Sequence, residues 1–262
     1  MRSTRLAVSI AGLAVAGAGL TVPVAEGAPA PVAPYNVTLL ASTKVAVAKQ
    51  DKVVLSGTVT PKPPEGSTVV VQAKYDNSAV WRKVGTAVVK PNGKYRFIDK
   101  PTTHFDRAYR VSKKADKVAL ADKSRERSVK VFAWNWLNQM QTSAGAGLVS
   151  AASLPINGDT YTHVLYAPTT TETAFAEYTL GRKCTTFETT FGLSDRTATG
   201  GQAIISLTSD GVVKYSRTFN LGESDAQDMD VSGVYRMRLD VAQVTTTPDT
   251  EPAAGTARVL CD

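Results

Sequence analysis

A chain of 262 residues with 43% apolar and 20% charged residues is long enough for two domains and too apolar to be read as disordered. Its formal charge of +7 conceals an asymmetry: residues 31–132 carry 20 Lys and Arg against 8 Asp and Glu, whereas residues 133–262 carry 8 against 14. The chain has two histidines and two cysteines, and no nucleophile elbow, metal-binding His pair or phosphate loop, which excludes the enzyme classes built on those motifs.

The N-terminus has the pattern of an export signal. Arg2 and Arg5 precede an apolar, small-residue run from Leu6 to Leu20, and Ala25, Gly27, Ala28 and Ala30 offer small residues for cleavage. The rival reading is a membrane anchor, but the run is shorter than the roughly 20 apolar residues that cross a bilayer. Residues 1–30 are therefore read as a signal peptide. The expected location is secreted or extracellular, with non-covalent attachment to the cell wall as an option that the basic residues 31–132 provide. The alternative reading of the same lysines is plainer: they keep an exported β-protein soluble and protect its edge strands.

Residues 31–132 read as short alternating strands: Val45 and Val47, Val53 to Val59, Val69 and Val71, Val84 and Val88, Tyr95 and Phe97, Tyr109 and Val111, Val129 and Val131. Turns are expected at Pro61 to Gly66 and at Pro91-Asn92-Gly93, where Asn-Gly supplies positive φ. The runs Val53–Val59, Trp81–Gly85, Gly93–Phe97 and Tyr109–Val111 resemble the Ig-like modules of exported actinobacterial proteins. That resemblance implies an immunoglobulin-like β-sandwich acting as a spacer or adhesion element. Trp81 is read as part of the packing, with a stacking platform as the alternative.

Phe132 to Leu137 is read as the connection into a second domain, 133–262. Trp134 and Trp136 lie two apart and share a face if extended. Packing at the junction is the first reading of this pair and sugar stacking the second. Farther on, Phe187, Thr189, Phe191 and Leu193 alternate with polar residues, Ser209-Asp210-Gly211 marks a hairpin, Tyr235 to Val241 alternates again, and Val259 and Cys261 close the chain as a short strand. Two cysteines in an exported chain predict one disulfide, Cys184 to Cys261.

This half resembles the NPCBM family of carbohydrate-binding modules on Tyr178-Thr179-Leu180-Gly181 with Phe187, Phe191 to Asp195, Ser209 to Gly211, and Val231 to Val234 with Arg236 to Leu239. Ile156-Asn157-Gly158 and Tyr161 fit its opening. The resemblance implies a galactose-binding-like jelly roll and a non-catalytic, glycan-binding function, so the whole chain is expected to be all-β. Sugar-competent members carry an Asp- and Trp-containing stretch before the last strand, whereas Thr245 to Thr256 has no aromatic residue here. That departure keeps open a structural or adhesion protein with a protein partner.

The candidate ligand-binding residues are Asp195 and Arg196, in a loop ending at Gly200-Gly201, with Tyr161, Tyr178, Tyr235 and Trp136 as platforms. The competing reading has the aspartates organising turns and the tyrosines packing. Asp225, Asp228 and Asp230 do not match a calcium-loop spacing and are read as a solvated acidic turn. No catalytic residue, metal or cofactor is expected. The expected partner is a glycan or an anionic cell-wall polymer, or else another protein. Nucleic acid is not expected, because the lysines are spread over strands with no recognition helix. No membrane span is expected, and the sequence carries no signal of oligomeric state.

Overall fold

The computed structural model describes residues 32–76, 78–244 and 249–262, so the expected signal peptide, 1–30, lies outside the described residues. Their only helical element is a 3-10 turn, Leu137–Gln139. The strands up to residue 136 are β1 (Asn36–Val37), β2 (Leu40–Ala41), β3 (Val45–Val47), β4 (Val53–Thr60), β5 (Thr68–Tyr75), β6 (Arg82–Val88), β7 (Lys94–Asp99), β8 (Arg107–Lys113), β9 (Asp122–Lys123) and β10 (Arg127–Trp136). Those that follow are β11 (Ala144–Ala146), β12 (Val149–Ile156), β13 (Asp159–Tyr166), β14 (Thr173–Thr179), β15 (Cys184–Leu193), β16 (Gln202–Ser209), β17 (Val212–Asn220), β18 (Ser224–Asp230), β19 (Arg236–Gln243) and β20 (Pro252–Cys261). The expected all-β sandwich is what the chain forms. No helix among the described residues is long and apolar enough to cross a membrane.

Period-2 alternation buries two large cores and a small third one, Leu154, Ile156, Val164 and Ala253, against which Tyr161 packs. In the first, Val53, Leu55 and Val59 of β4 and Tyr95 of β7 face Val69 and Val71 of β5, Tyr109 and Val111 of β8, and Val129 and Val131 of β10. Gly57 is required on β4: a Cβ there would stand 2.0 Å from the Thr38 carbonyl oxygen and 2.6 Å from the Tyr95 hydroxyl. That hydroxyl donates to the same carbonyl, closing the sandwich corner. In the second core, Ala174, Ala176 and Tyr178 of β14, Ile205 and Leu207 of β16, and Met237, Leu239 and Val241 of β19 face Phe187, Phe191 and Leu193 of β15 and Val259 of β20.

The two cores share one sheet. Strands β1, β2 and β7 pair with β4 in a four-stranded sheet, and β11-β14-β19-β16-β17 form a five-stranded one. The third sheet has eleven strands, and its path is β12-β13-β20-β10-β8-β5-β6. Strand β10 carries the continuity: residues 127–129 pair with β8, residues 130–132 lie parallel to β3, and residues 133–136 pair with the end of β20. Residues Ala33–Asp262 thus form a single unit by their contacts. On its other edge β20 pairs with β15 along most of its length, including Cys184↔Cys261, and the expected disulfide joins that register pair.

Two local expectations are corrected. Asp225, Asp228 and Asp230 form no turn; they lie on β18, which pairs with β15 in seven-residue register from Gly192↔Ser224 to Thr186↔Asp230. Asp225 accepts from the Tyr215 hydroxyl at 2.8 Å, and Asp230 caps the Ser232 N–H. Acidic residues have low strand propensity, so pairing with β15 decides the conformation. The last strand, expected to be short at Val259 and Cys261, is ten residues long, β20 starting at Pro252.

Five buried or half-buried tyrosines are expected to make the fold alkali-sensitive. Desolvation, with help from the neighbouring Asp116 carboxylate, pushes Tyr35 up to about 12, and desolvation pushes Tyr178 to about 12. Tyr95, Tyr109 and Tyr215 are raised as well, chiefly by burial. Each phenol is harder to ionise folded than unfolded. Their contribution is therefore complete below the unfolded value near roughly 10 and is lost as pH rises through the folded values. In an absorbance titration at 295 nm, these phenolates are expected to appear together with loss of the near-UV circular dichroism signal. Ionisation of all nine tyrosines with the native spectrum retained would contradict this.

Candidate functional site

The end of β10 reads Ala133-Trp134-Asn135-Trp136, and alternation puts both indoles on one side of the strand. Opposite them β20 offers Leu260 and Arg258, in register with Trp134 and Trp136. The Arg258 guanidinium lies 4.2 Å from the Trp134 ring centroid and 5.4 Å from that of Trp136. Across the next ladder stands Glu188 of β15, the register partner of Arg258. One of its carboxylate oxygens accepts from Nε at 2.8 Å and from Nη2 at 2.6 Å. Both partners keep roughly a third of their side-chain surface in solvent, 27% and 31%. The pair therefore orients the guanidinium over the indoles more than it stabilises the fold, a cation–π contact at such a site being worth about 0.5–1 kcal/mol.

The second face of the aromatic cluster comes from β13. The His163 imidazole stacks on Trp136 with ring centroids 4.3 Å apart and 5° between planes. His163 adopts φ 53°, a left-handed conformation that costs a non-glycine residue energy and that packing against Trp136 must offset. The Gln139 amide approaches His163 Nδ1 at 3.5 Å.

Two loops from the preceding sandwich wall this cluster. Residues 48–50, after β3, and residues 102–105, between β7 and β8, line a cleft with Ala133, Trp134, Trp136 and Arg258 that encloses about 410 Å³. The Lys49 N–H donates to the Pro101 carbonyl at 2.7 Å, tying the loops together. The His104 and Phe105 rings sit 4.5 Å apart. Indole surface, cationic groups and hydroxyls converge here, the combination by which a cleft holds the apolar face of a sugar ring and its polar substituents.

Of the six residues singled out by sequence, Trp136 is in this cleft. Tyr161, on β13, covers Gly255 of β20: a Cβ at position 255 would meet its ring at 2.6 Å. Tyr178 is 1% exposed in the second core, which leaves neither ring face open to a ligand. Tyr235 is 43% exposed, with the Arg182 guanidinium 5.5 Å from its ring centroid. Its backbone N–H and that of Arg236 donate to Asp210, whose carboxyl they hold below the usual carboxylate range. Asp195 organises a loop: its carboxylate accepts from Gly158 N–H at 3.0 Å, and its own N–H donates to the Pro155 carbonyl. Arg196 is exposed, its backbone N–H on the Ser194 hydroxyl.

Among the described residues no hydrogen bond, ion pair or ring contact joins Trp136 to Asp195, Arg196 or Tyr235. Sequence reasoning passed over Lys49, His104, His163, Glu188 and Arg258. The one local signal that could have led to them is the Trp-x-Trp spacing at 134–136, a pair of large aromatics on one face of a strand. Among the described residues no group of three or more His, Cys, Asp or Glu is placed to hold a metal ion.

The family model described as NPCBM/NEW2 domain matches residues 120–253, half of the chain. No curated protein matches the sequence. Among solved structures, the chain is similar to CBM51 from Clostridium perfringens GH95 in complex with methyl-galactose, at 14% identity and TM-score 0.42, covering 48% of this chain and 99% of that one. It is also similar to the M60 catalytic domain with the CBM51-1 and CBM51-2 domains from Clostridium perfringens ZmpB, at 13% identity and TM-score 0.42, covering 94% of this chain and 32% of that one. A third is the CBM22-1-CBM22-2 tandem domain from Paenibacillus barcinonensis Xyn10C, at 14% identity and TM-score 0.30, covering 87% and 91%.

Proposed function

The chain belongs to the NPCBM/NEW2 domain family of carbohydrate-binding modules, and from that premise we propose a secreted, non-catalytic protein that recognises cell-envelope or extracellular glycan. In this reading residues 1–30 are the signal peptide, 31–132 an Ig-like sandwich and 133–262 the galactose-binding-like jelly roll. The cleft at their junction is the glycan site.

The observation that carries the reading is the pairing of Trp134 and Trp136 with Arg258 and a polar wall in one cleft. Both indoles remain half-exposed, with Arg258 over Trp134 and His163 stacked on Trp136. A sugar ring docks its C–H face on such a surface and directs its hydroxyls to the threonines, Gln50 and Lys49 on the rim.

The basic sandwich has a separate part, attachment to an anionic cell-wall polymer. A groove of about 330 Å³ is lined by Lys44, Lys74 and Lys130 together with Asp76 and Asp106. Beside it Trp81 packs against Lys74 and Arg110, whose cationic groups lie 5.2 and 4.1 Å from its ring centroid. Attachment of this kind weakens as salt shortens the Debye length below about 10 Å.

A structural or adhesion role with a protein partner is the second reading. Val212 and Val213, 58% and 61% exposed on the edge strand β17, favour it. A glycan array probed with the exported chain at low and high salt separates the readings. Salt-resistant binding competed by a soluble sugar supports the glycan site. Silence on glycans, with retention of a protein, supports the second reading.

A further inference from the structure

Resting on the glycan reading of the cleft, the charges around it narrow the ligand class. None of its lining residues is an aspartate or glutamate, whereas Lys49 and Arg258 bring two permanent cations and His104 an imidazole. The carboxylates nearest in sequence are turned to other work: Asp51 accepts from the Val47 N–H at 2.7 Å and Asp106 from the Val131 N–H at 2.7 Å. Glu188, the partner of Arg258, lines the neighbouring groove with Thr190 and Asp228 instead. It engages Nε and Nη2 of the guanidinium and leaves Nη1 without a bond to protein among the described residues.

The charged groups of the lining are therefore all donors, beside Gln50, Thr102 and Thr103, which both donate and accept. Lys and Arg donate and cannot accept, while a sugar hydroxyl needs acceptors for its own proton as well as donors for its lone pairs. A carboxylate is acceptor-only, matches ammonium and guanidinium donors, and forms shorter, stronger bonds with them than a neutral hydroxyl does. We propose that the cleft selects an acidic sugar, a uronic acid residue or a chemically similar carboxylated unit, with its ring on the Trp134–Trp136 surface and its carboxylate between Lys49 and Arg258.

Matched pairs of ligands test this by calorimetry on the exported chain: galacturonate against galactose, and glucuronate against glucose, which differ at one carbon. The acid of a pair is expected to bind about tenfold more tightly at low salt, a difference of ~1.4 kcal/mol, and the preference is expected to shrink as salt is raised. Lys49→Asn removes the cation and suits the left-handed φ of 65° at that position. It is expected to abolish most of the preference while leaving the circular dichroism spectrum unchanged.

Equal affinity for acid and neutral sugar, with both lost in Trp134→Ala, would overturn the acid selectivity and leave the glycan site standing. An acid preference that survives Lys49→Asn would overturn its assignment to this cleft. Binding of neither sugar would overturn the selectivity and the glycan reading together.

Discussion

Reducing the Cys184–Cys261 bond is expected to lower stability by about 4–5 kcal/mol, the chain-entropy value for releasing a loop of this length, the cysteines being 77 positions apart. The effect has a local side as well. Cys261 lies between two partners, Ala133 of β10 and Cys184 of β15, and its strand is the one that presents Arg258 to the tryptophans. An unstapled terminus frays more readily, so the loss of the bond is expected to loosen Arg258 as well. Urea unfolding of the oxidised protein and of a Cys184→Ala/Cys261→Ala variant measures the difference. Both cysteines are buried, and alanine avoids placing a hydroxyl there. An unchanged unfolding midpoint would show that the ladder alone holds the terminus.

The second large effect lies in the other sandwich. Arg107 is 5% exposed on β8, and its Nη1 donates to Asp99 at the end of β7. The Tyr109 hydroxyl donates to the same carboxylate oxygen, and the Arg107 guanidinium lies 5.2 Å from the Tyr75 ring centroid. Asp99→Ala leaves a buried guanidinium without its counter-charge, a change that costs about 3–5 kcal/mol when one partner of a buried pair is removed. Asp99→Asn keeps an acceptor and is expected to cost less. Loss of under about 1 kcal/mol in the alanine variant would mean that water reaches Arg107.

What the sequence discloses here is what period 2 and turn chemistry can encode. Phe187, Phe191 and Leu193 read as one face and form one face; Val53, Leu55 and Val59 do the same. Asn92-Gly93 and Asp210-Gly211 mark turns, with Gly93, Asp210 and Gly211 all at positive φ. Tyr178 was equally legible: it alternates with Ala174 and Ala176 on β14, and the small residues mark the inward face.

The shared strand was not legible. Phe132 to Trp136 reads as a connection because its aromatics break the alternation, and its partner on β20 is more than a hundred residues away, where no local rule sets the register. The start of β20, Pro252-Ala253-Ala254-Gly255, has poor strand propensity and is extended because β13 and β15 flank it. The cleft was hidden for the same reason. Its indoles come from β10, its arginine from β20, the glutamate that orients it from β15 and its lysine from the loop after β3. Only pairings distant in sequence bring these together.

The most direct measurement is the affinity of the protein for its best glycan on the array, compared with that of Trp134→Ala/Trp136→Ala at high salt. The cleft assignment requires a loss of about tenfold or more, the equivalent of ~1.4 kcal/mol, with the near-UV spectrum otherwise native. Undiminished, salt-resistant glycan binding in the double variant would contradict it and place the sugar elsewhere on the molecule.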